Sequence, residues 1–309
     1  MTSPGPAGSD TATHRLPDGR TLAYCEFGDP DGDPLFHAHG VPSSRLEGAL
    51  LHDAASRHGF RVISTDRPGI GRSTYLPGRE LLDYPKDIGS LANALGLERF
   101  GVMGASGGGA HTAVCAYAIP ERLTVNVTVC PFTNFAEFPA PETLLSGAEA
   151  VTWRMARISP ALVFAVCGSM ALAVRGLGTR YEEWAATAAS KGQGPDAEVA
   201  RANPEKMAMM GRVTAEAFAQ GGRGVAVDTM IQYSDWGFRL ADLRGRIHLL
   251  HGTEDELVPF EFGRYIADRA PNCEFHALEG WGHFITLKSP DLIFETARRE
   301  LDGQRQGSG

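Results

Sequence analysis

The chain has 309 residues, 43% hydrophobic and 21% charged, with 29 basic against 37 acidic side chains and a formal net charge of −8. A chain of this length buries roughly three quarters of its unfolded surface, so its core needs neither disulfide nor metal staples. The acidic balance argues against a nucleic-acid partner and an anionic membrane surface, both of which call for a basic face.

Met1 to Thr13, rich in Ser, Pro, Gly and Thr and without a hydrophobic core, reads as a disordered tail rather than a signal peptide. Leu16 to Tyr24 reads as two strands joined by a turn at Asp18-Gly19. Pro34 to Ala38 is a short apolar strand ending at His39-Gly40-Val41-Pro42, and Ser44 to His58 has helical spacing. Phe60 to Thr65 is a strand followed by the turn Asp66 to Ser73, and Asp83 to Leu95 is a helix stopped by Gly96. Phe100 to Met103 is a strand, Ala110 to Ile119 a helix, and Leu123 to Cys130 another β-rich run. Strand alternating with helix builds a mostly parallel sheet with helices on both faces.

Phe132 to Gly224 breaks that alternation. Helical stretches fit at 143–158, 161–174, 181–190 and 196–220, so the segment is expected to be a helical cap over the sheet's carboxyl edge. Its Trp153, Trp184, Met207 and Met210 either pack the cap onto the core or line an apolar pocket. The longest apolar run, Ala161 to Val174, is too short to span a bilayer. Beyond it, Val225 to Leu243 reads as helix, Arg246 to Leu250 as strand, Glu261 to Ala270 as helix, Glu274 to Leu278 as strand and Leu292 to Leu301 as helix. Residues 302–309 read as a flexible tail. The resulting division is a tail (1–13), a core (14–131), the cap (132–224), the rest of the core (225–301) and the second tail. The five scattered cysteines have no C-x-x-C spacing and read as reduced thiols, so a cytoplasmic location is expected.

Gly104-Ala105-Ser106-Gly107-Gly108, set between a strand and a helix, has the form of a nucleophile elbow. Asp255 and His283 each follow a later strand. Serine chemistry needs a base, an acid to orient that base, and N–H donors for an oxyanion, all near one point. The carboxyl ends of parallel strands bring such groups together. With His39-Gly40, Asp66-Arg67-Pro68-Gly69, His251-Gly252-x-x-Asp255 and Gly282-His283, the chain from Leu22 to Leu301 resembles the α/β-hydrolase superfamily, in particular its cap-bearing serine hydrolases.

The resemblance implies an α/β-hydrolase fold with Ser106 as nucleophile, His283 as base and Asp255 as its orienting acid. Glu254 and Glu256 are solvent-facing decoys for that acid, and Asp228 is a rival. It also implies an oxyanion hole at the backbone N–H groups of Val41 and Gly107. His37 and His39 share a strand face as metal ligands would, but no carboxylate or cysteine completes a set. His111 packs the helix after the elbow or edges the pocket, and Trp281 walls the pocket or covers its loop. Serine at the elbow, where similar dehalogenases and epoxide hydrolases carry aspartate, points to hydrolysis of an ester, lactone or thioester of a fairly apolar small molecule. A lyase or cyclase using His283 as base, or a small-molecule receptor, are the other readings of the same scaffold. No cofactor or metal is implied, and the chain is expected as a monomer or homodimer.

Overall fold

The apolar runs between Ala12 and Leu278 pair into one sheet, seen in a computed structural model that describes residues 10–307. Its strands are β1 (Ala12–Arg15), β2 (Thr21–Gly28), β3 (Asp33–Ala38), β4 (Phe60–Thr65), β5 (Phe100–Ala105), β6 (Leu123–Val129), β7 (Ile247–Gly252) and β8 (Cys273–Leu278). They lie in the order β1-β2-β4-β3-β5-β6-β7-β8, antiparallel at β1–β2 and β2–β4 and parallel elsewhere. The chain is thus an α/β-hydrolase fold with a mostly parallel sheet.

The helices are α1 (His52–Arg57), α2 (Tyr84–Ala94), α3 (Gly109–Ala118), α4 (Gly147–Ile158), α5 (Pro160–Leu177), α6 (Arg180–Ser190), α7 (Gly194–Ala202), α8 (Pro204–Ala217), α9 (Arg223–Gln232), α10 (Phe260–Arg269), α11 (Ile285–Lys288) and α12 (Pro290–Gly307). Ile88, Val114 and Ile266 of α2, α3 and α10 pack with Phe36, Ile63, Val102 and Leu249 on one sheet face. Ala55 of α1 and Phe294 of α12 pack with Leu35, Val62, Met103 and Leu250 on the other. Both faces of the central strands are covered: β5 is apolar throughout, while β6 alternates valines with polar residues, of which Asn126 and Thr128 are themselves buried and hydrogen-bonded.

From β3 the chain moves outward to β4, then returns across β3 to β5 and proceeds the other way. The sheet therefore reverses direction between β3 and β5, and a crevice opens there beyond the strands' carboxyl ends. The loops carrying Gly40-Val41 and Ser106 leave the sheet at that point.

Several sequence expectations are corrected. Residues 12–13 belong to β1, where Ala12 pairs with Tyr24 and Thr13 with Ala23, while Thr11 Oγ1 accepts from Arg45 at 2.8 Å. Residues 302–307 continue α12, and Arg305 reaches Asp33 at 3.0 Å. Polar composition cannot reveal such pairings. Residues 1–9 and 308–309 of the expected tails lie outside the described residues. The helix expected over 196–220 is two, because Pro204 has no N–H to continue α7 and instead begins α8. The helix expected over Val225 to Leu243 stops at Gln232, and the following chain turns to bury Trp236 and passes through Gly237 at φ +80°. Ser44 to His58 is a 3-10 turn (Arg45–Leu51) leading into the short α1.

The run Ala161 to Val174 lies within the 18-residue α5, of mean hydropathy 1.7, which does meet the length and composition of a membrane span. Its Val163, Cys167 and Val174 stripe packs on Ile70, Phe218 and Val225, leaving Leu162, Val166, Met170 and Leu172 exposed. Between β6 and β7 the described residues form no strand.

Candidate active site

At the end of β5 the chain turns sharply, and Ser106 adopts φ +55°, a conformation that costs an L-residue about 1–3 kcal/mol. Its neighbours explain the glycines. A Cβ on Gly104 would fall 2.7 Å from the Gly108 carbonyl oxygen, and one on Gly108 would collide with the Ala38 carbonyl. The turn can thus pack against β3 only with glycine on both sides, and Ser106 lines a cavity of about 240 Å³. His283 lines the same cavity.

His283 Nδ1 lies 2.8 Å from Asp255 Oδ2. The other Asp255 oxygen accepts the backbone N–H groups of Leu257 at 2.9 Å and Val258 at 2.8 Å. His251 adds its Nε2, 3.4 Å from Asp255 Oδ2. Burial would raise the Asp255 pKa, but the charge and hydrogen bonds of His283 and His251 outweigh it and hold the carboxyl well below its usual range. Burial likewise lowers the His283 pKa, and Asp255 reverses that into a net rise. With Nδ1–H donated to Asp255, Nε2 keeps the lone pair a general base needs.

Glu254 and Glu256 are exposed while Asp255 is buried. Asp228 sits elsewhere: its Oδ2 accepts from Arg67 Nε at 2.8 Å, and its Oδ1 from Arg79. Arg67 in turn donates to the carbonyls of His39 at 2.6 Å and Gly40 at 2.8 Å. Glu47 accepts the Gly40 N–H at 3.0 Å from the other side. The loop after β3 is therefore clamped by side chains on both of its peptide faces. A Cβ on Gly107 would lie 2.6 Å from Val41 Cγ2, so these two residues abut. Gly107 occupies the first turn of the 3-10 segment opening α3, where backbone N–H groups have no carbonyl one turn back. Val41 lines the same cavity as Ser106.

The histidines set aside in the sequence have other work. His37 Nδ1 bonds Ser64 at 2.9 Å, His39 Nδ1 bonds the Gly40 carbonyl at 2.8 Å, and His111 stacks edge-on against Tyr84 at 4.9 Å. Burial drops the His39 pKa to about 3, so its ring is neutral and Nδ1–H donates.

Of the residues expected to line an apolar pocket, Met210 reaches the cavity. The others are corrected. Trp153 packs beside Phe135 and Tyr233 and lines a separate surface cleft. Trp184 is 60% exposed beside Tyr181. Met207 is buried among Val199, Ala200 and Leu287. Trp281 covers the sheet core and stacks under the Lys288 ammonium at 4.0 Å. Met207 and Met210 share one face of α8 and one cluster with Val199, Ala200 and Leu287, but Met207 is buried within it while Met210 extends to the cavity, a difference that spacing alone leaves open.

Two residues were missed. Glu149 of α4 lines the cavity, accepts the Tyr233 hydroxyl, and has its pKa pushed up by burial. Asp196, in the first turn of α7, accepts the backbone N–H of His283 at 2.9 Å and of Phe284 at 2.7 Å. A Cβ on Gly282 would fall 2.5 Å from its carboxylate, so glycine there permits the approach. In the sequence, an acid in a helix's first turn reads simply as a helix start. Replacing Asp196 with alanine is expected to lower kcat about 10–100-fold, because the loop aiming His283 loses two charge-assisted hydrogen bonds. Asn should recover part of the loss. In the pH profile of kcat/KM the His283 limb should move to lower pH, since Asp196 is one of the anions favouring the imidazolium. A variant with an unchanged kcat and profile would show that this anchor positions nothing.

The sequence profile of the alpha/beta hydrolase family matches residues 35–296. Over 291 residues the chain is 24% identical to a bifunctional esterase/perhydrolase of Acinetobacter calcoaceticus, covering 92% of this chain and 95% of that protein. It is 35% identical over 114 residues to a non-heme chloroperoxidase of Streptomyces lividans, a match spanning 36% of this chain and 41% of that one. In three dimensions it superposes on a thermophilic esterase from Thermogutta terrifontis with a TM-score of 0.68 at 20% identity, covering 96% and 99% of the two chains. With an eight-stranded hydrolase sheet and a family match that runs through β3 to α12, this chain belongs to the alpha/beta hydrolase family.

Proposed function

We propose that the chain is a serine hydrolase that cleaves an ester, lactone or thioester of a small molecule through an acyl-enzyme on Ser106. The observation carrying this reading is the His283–Asp255 pair, 2.8 Å apart, opening onto the same cavity as Ser106 and the Val41 loop. Ser106 Oγ attacks the carbonyl carbon while His283 Nε2 takes its proton. The oxyanion is met by the N–H groups of Val41 and Gly107, a stabilisation worth about 10²–10³ in rate per donor. Collapse expels the leaving group, protonated by His283, and water then attacks the acyl-enzyme by the same route in reverse order. Likeness over nearly full length to an esterase/perhydrolase supports ester chemistry.

A cavity of about 240 Å³ suits a small acyl group. Drug-sized ligands occupy pockets of roughly 300–1,000 Å³. Glu149 and Gln232 on its wall favour a polar substituent on the fairly apolar small molecule expected from the sequence.

The test is intact mass after incubation with a fluorophosphonate. Wild type should gain one adduct and Ser106→Ala none. Because the anchored Asp255 raises the His283 pKa, the base form is lost as pH falls through a value above the ordinary imidazole pKa of about 6.5. The labelling rate should fall accordingly on the acid side. No adduct on folded wild-type protein would sink the acyl-enzyme reading.

A further inference from the structure

Away from the cavity, β7 and β8 hold a cluster that the proposed reaction does not use. Their register sets His248 opposite Glu274 and Leu250 opposite His276, on the face covered by α12. His248 is only 4% exposed. Its Nε2 lies 3.2 Å from Glu300 Oε2 on α12, and its Nδ1 lies 3.5 Å from Glu274 Oε2. His276 Nε2 approaches the other Glu274 oxygen at 3.3 Å. Neither His248 Nδ1 nor His276 Nε2 makes a hydrogen bond, and both are shut off from solvent.

That arrangement is unfavourable as it stands. With the Nε2 proton donated to Glu300, His248 turns the lone pair of Nδ1 toward a carboxylate. Burial lowers the pKa of both histidines and so favours neutral rings. Buried lone pairs facing an anion call for a cation between them.

We propose that His248, Glu274 and His276 bind a divalent transition-metal ion of the zinc type, joining the edge strand β8 to β7 and α12. Tetrahedral zinc with ligands at about 2.0–2.1 Å sets neighbouring donor atoms about 3.3–3.4 Å apart. Each histidine nitrogen lies near that distance from one Glu274 oxygen, His248 Nδ1 3.5 Å from Oε2 and His276 Nε2 3.3 Å from Oε1, and one donor atom from each residue falls within 4.8 Å of the others. Two imidazoles and one carboxylate favour zinc over calcium or magnesium, which take oxygen. Glu300 supplies the outer carboxylate that fixes a ligating histidine's tautomer. Glu274 is 42% exposed, which gives the ion an entry path and leaves a fourth position for water. Arg246, 2.6 Å from Glu274 Oε2 and more than half exposed, swings toward Glu300 or solvent as the ion enters.

His248 stands four residues before Gly252, about 13 Å along the strand from the sheet's carboxyl edge. The ion would therefore act on stability and on β8, the strand that leads into the His283 loop, and not on the bond being cleaved.

The experiment uses the full chain, stripped with a chelator and titrated with zinc by calorimetry. One equivalent should bind and raise the melting temperature. Glu274→Gln and His276→Ala, both partly exposed and expected to fold, should weaken binding at least about tenfold and lose the melting shift. Cobalt(II) added to the stripped wild type should give the visible absorption of a four-coordinate site. No saturable zinc binding by the wild type, or equal binding by His276→Ala, would overturn the assignment.

Discussion

Ser106→Ala is expected to lower kcat by about 10⁴–10⁶ while leaving the urea midpoint essentially unchanged. Ser106 is half-buried at the cavity wall, so removing its hydroxyl leaves the sheet packing intact. His283→Ala should cost a similar factor. Asp255→Asn should cost about 10⁴ or less, because asparagine still holds the ring but favours the wrong tautomer. The informative variant is the double replacement of Ser106 and His283. Groups acting as one unit show no further loss once the first is gone. Two losses that multiply would mean the residues serve separate steps, and hydrolysis above about 1% in Ser106→Ala would move the nucleophile elsewhere.

The largest effect on stability is expected at Asp228. It is fully buried between Arg67 and Arg79, themselves 1% and 8% exposed, and the two cations outweigh its burial to hold its pKa far below the usual range. Asp228→Ala leaves two buried guanidinium groups without a counter-ion, a loss of about 3–5 kcal/mol. At about 2 °C per kcal/mol for a chain of this size, the melting temperature should fall about 6–10 °C. Arg67 also holds the His39 and Gly40 carbonyls, so the surviving folded fraction should show a reduced kcat. A variant melting with the wild type would show that Arg67 keeps its place without Asp228. The same cluster answers the choice between rival acids: Asp228 is paired with Arg67 and Arg79, whereas Asp255 reaches His283 directly.

Much of this arrangement was legible because it is local. The elbow needs glycine at 104 and 108 for contacts with the chain's own next turn and with β3, so the five residues advertise the geometry. The strands showed by their β-rich composition, as a continuous apolar run in β5 and as valines alternating with polar residues in β6. Each loop that bears a site residue follows one of them directly. The helix over 196–220 could have been divided at Pro204, whose missing N–H is a local signal.

What failed to show depends on partners distant in sequence. Asp196 meets the His283 loop 87 residues away, and Arg45 secures Thr11 across 34. The apolar residues of the insert carried no sign of which helix face turns inward, so Met210 and not Trp184 met the cavity. The histidine pair weighed for metal binding, His37 and His39, shared one strand and lacked a third ligand. The cluster proposed for zinc draws instead on two strands joined by register.

The amino-acid sequence by itself determined the order of strands and helices, the elbow at Ser106 and the residues after β7 and β8 that accompany it, since periodicity and turn chemistry act between near neighbours. The tertiary structure alone decided which insert side chains reach the cavity, what anchors the His283 loop and what braces the loop after β3. Those outcomes depend on helix rotation, strand register and the pairing of buried charges, none of which has a short-range signature.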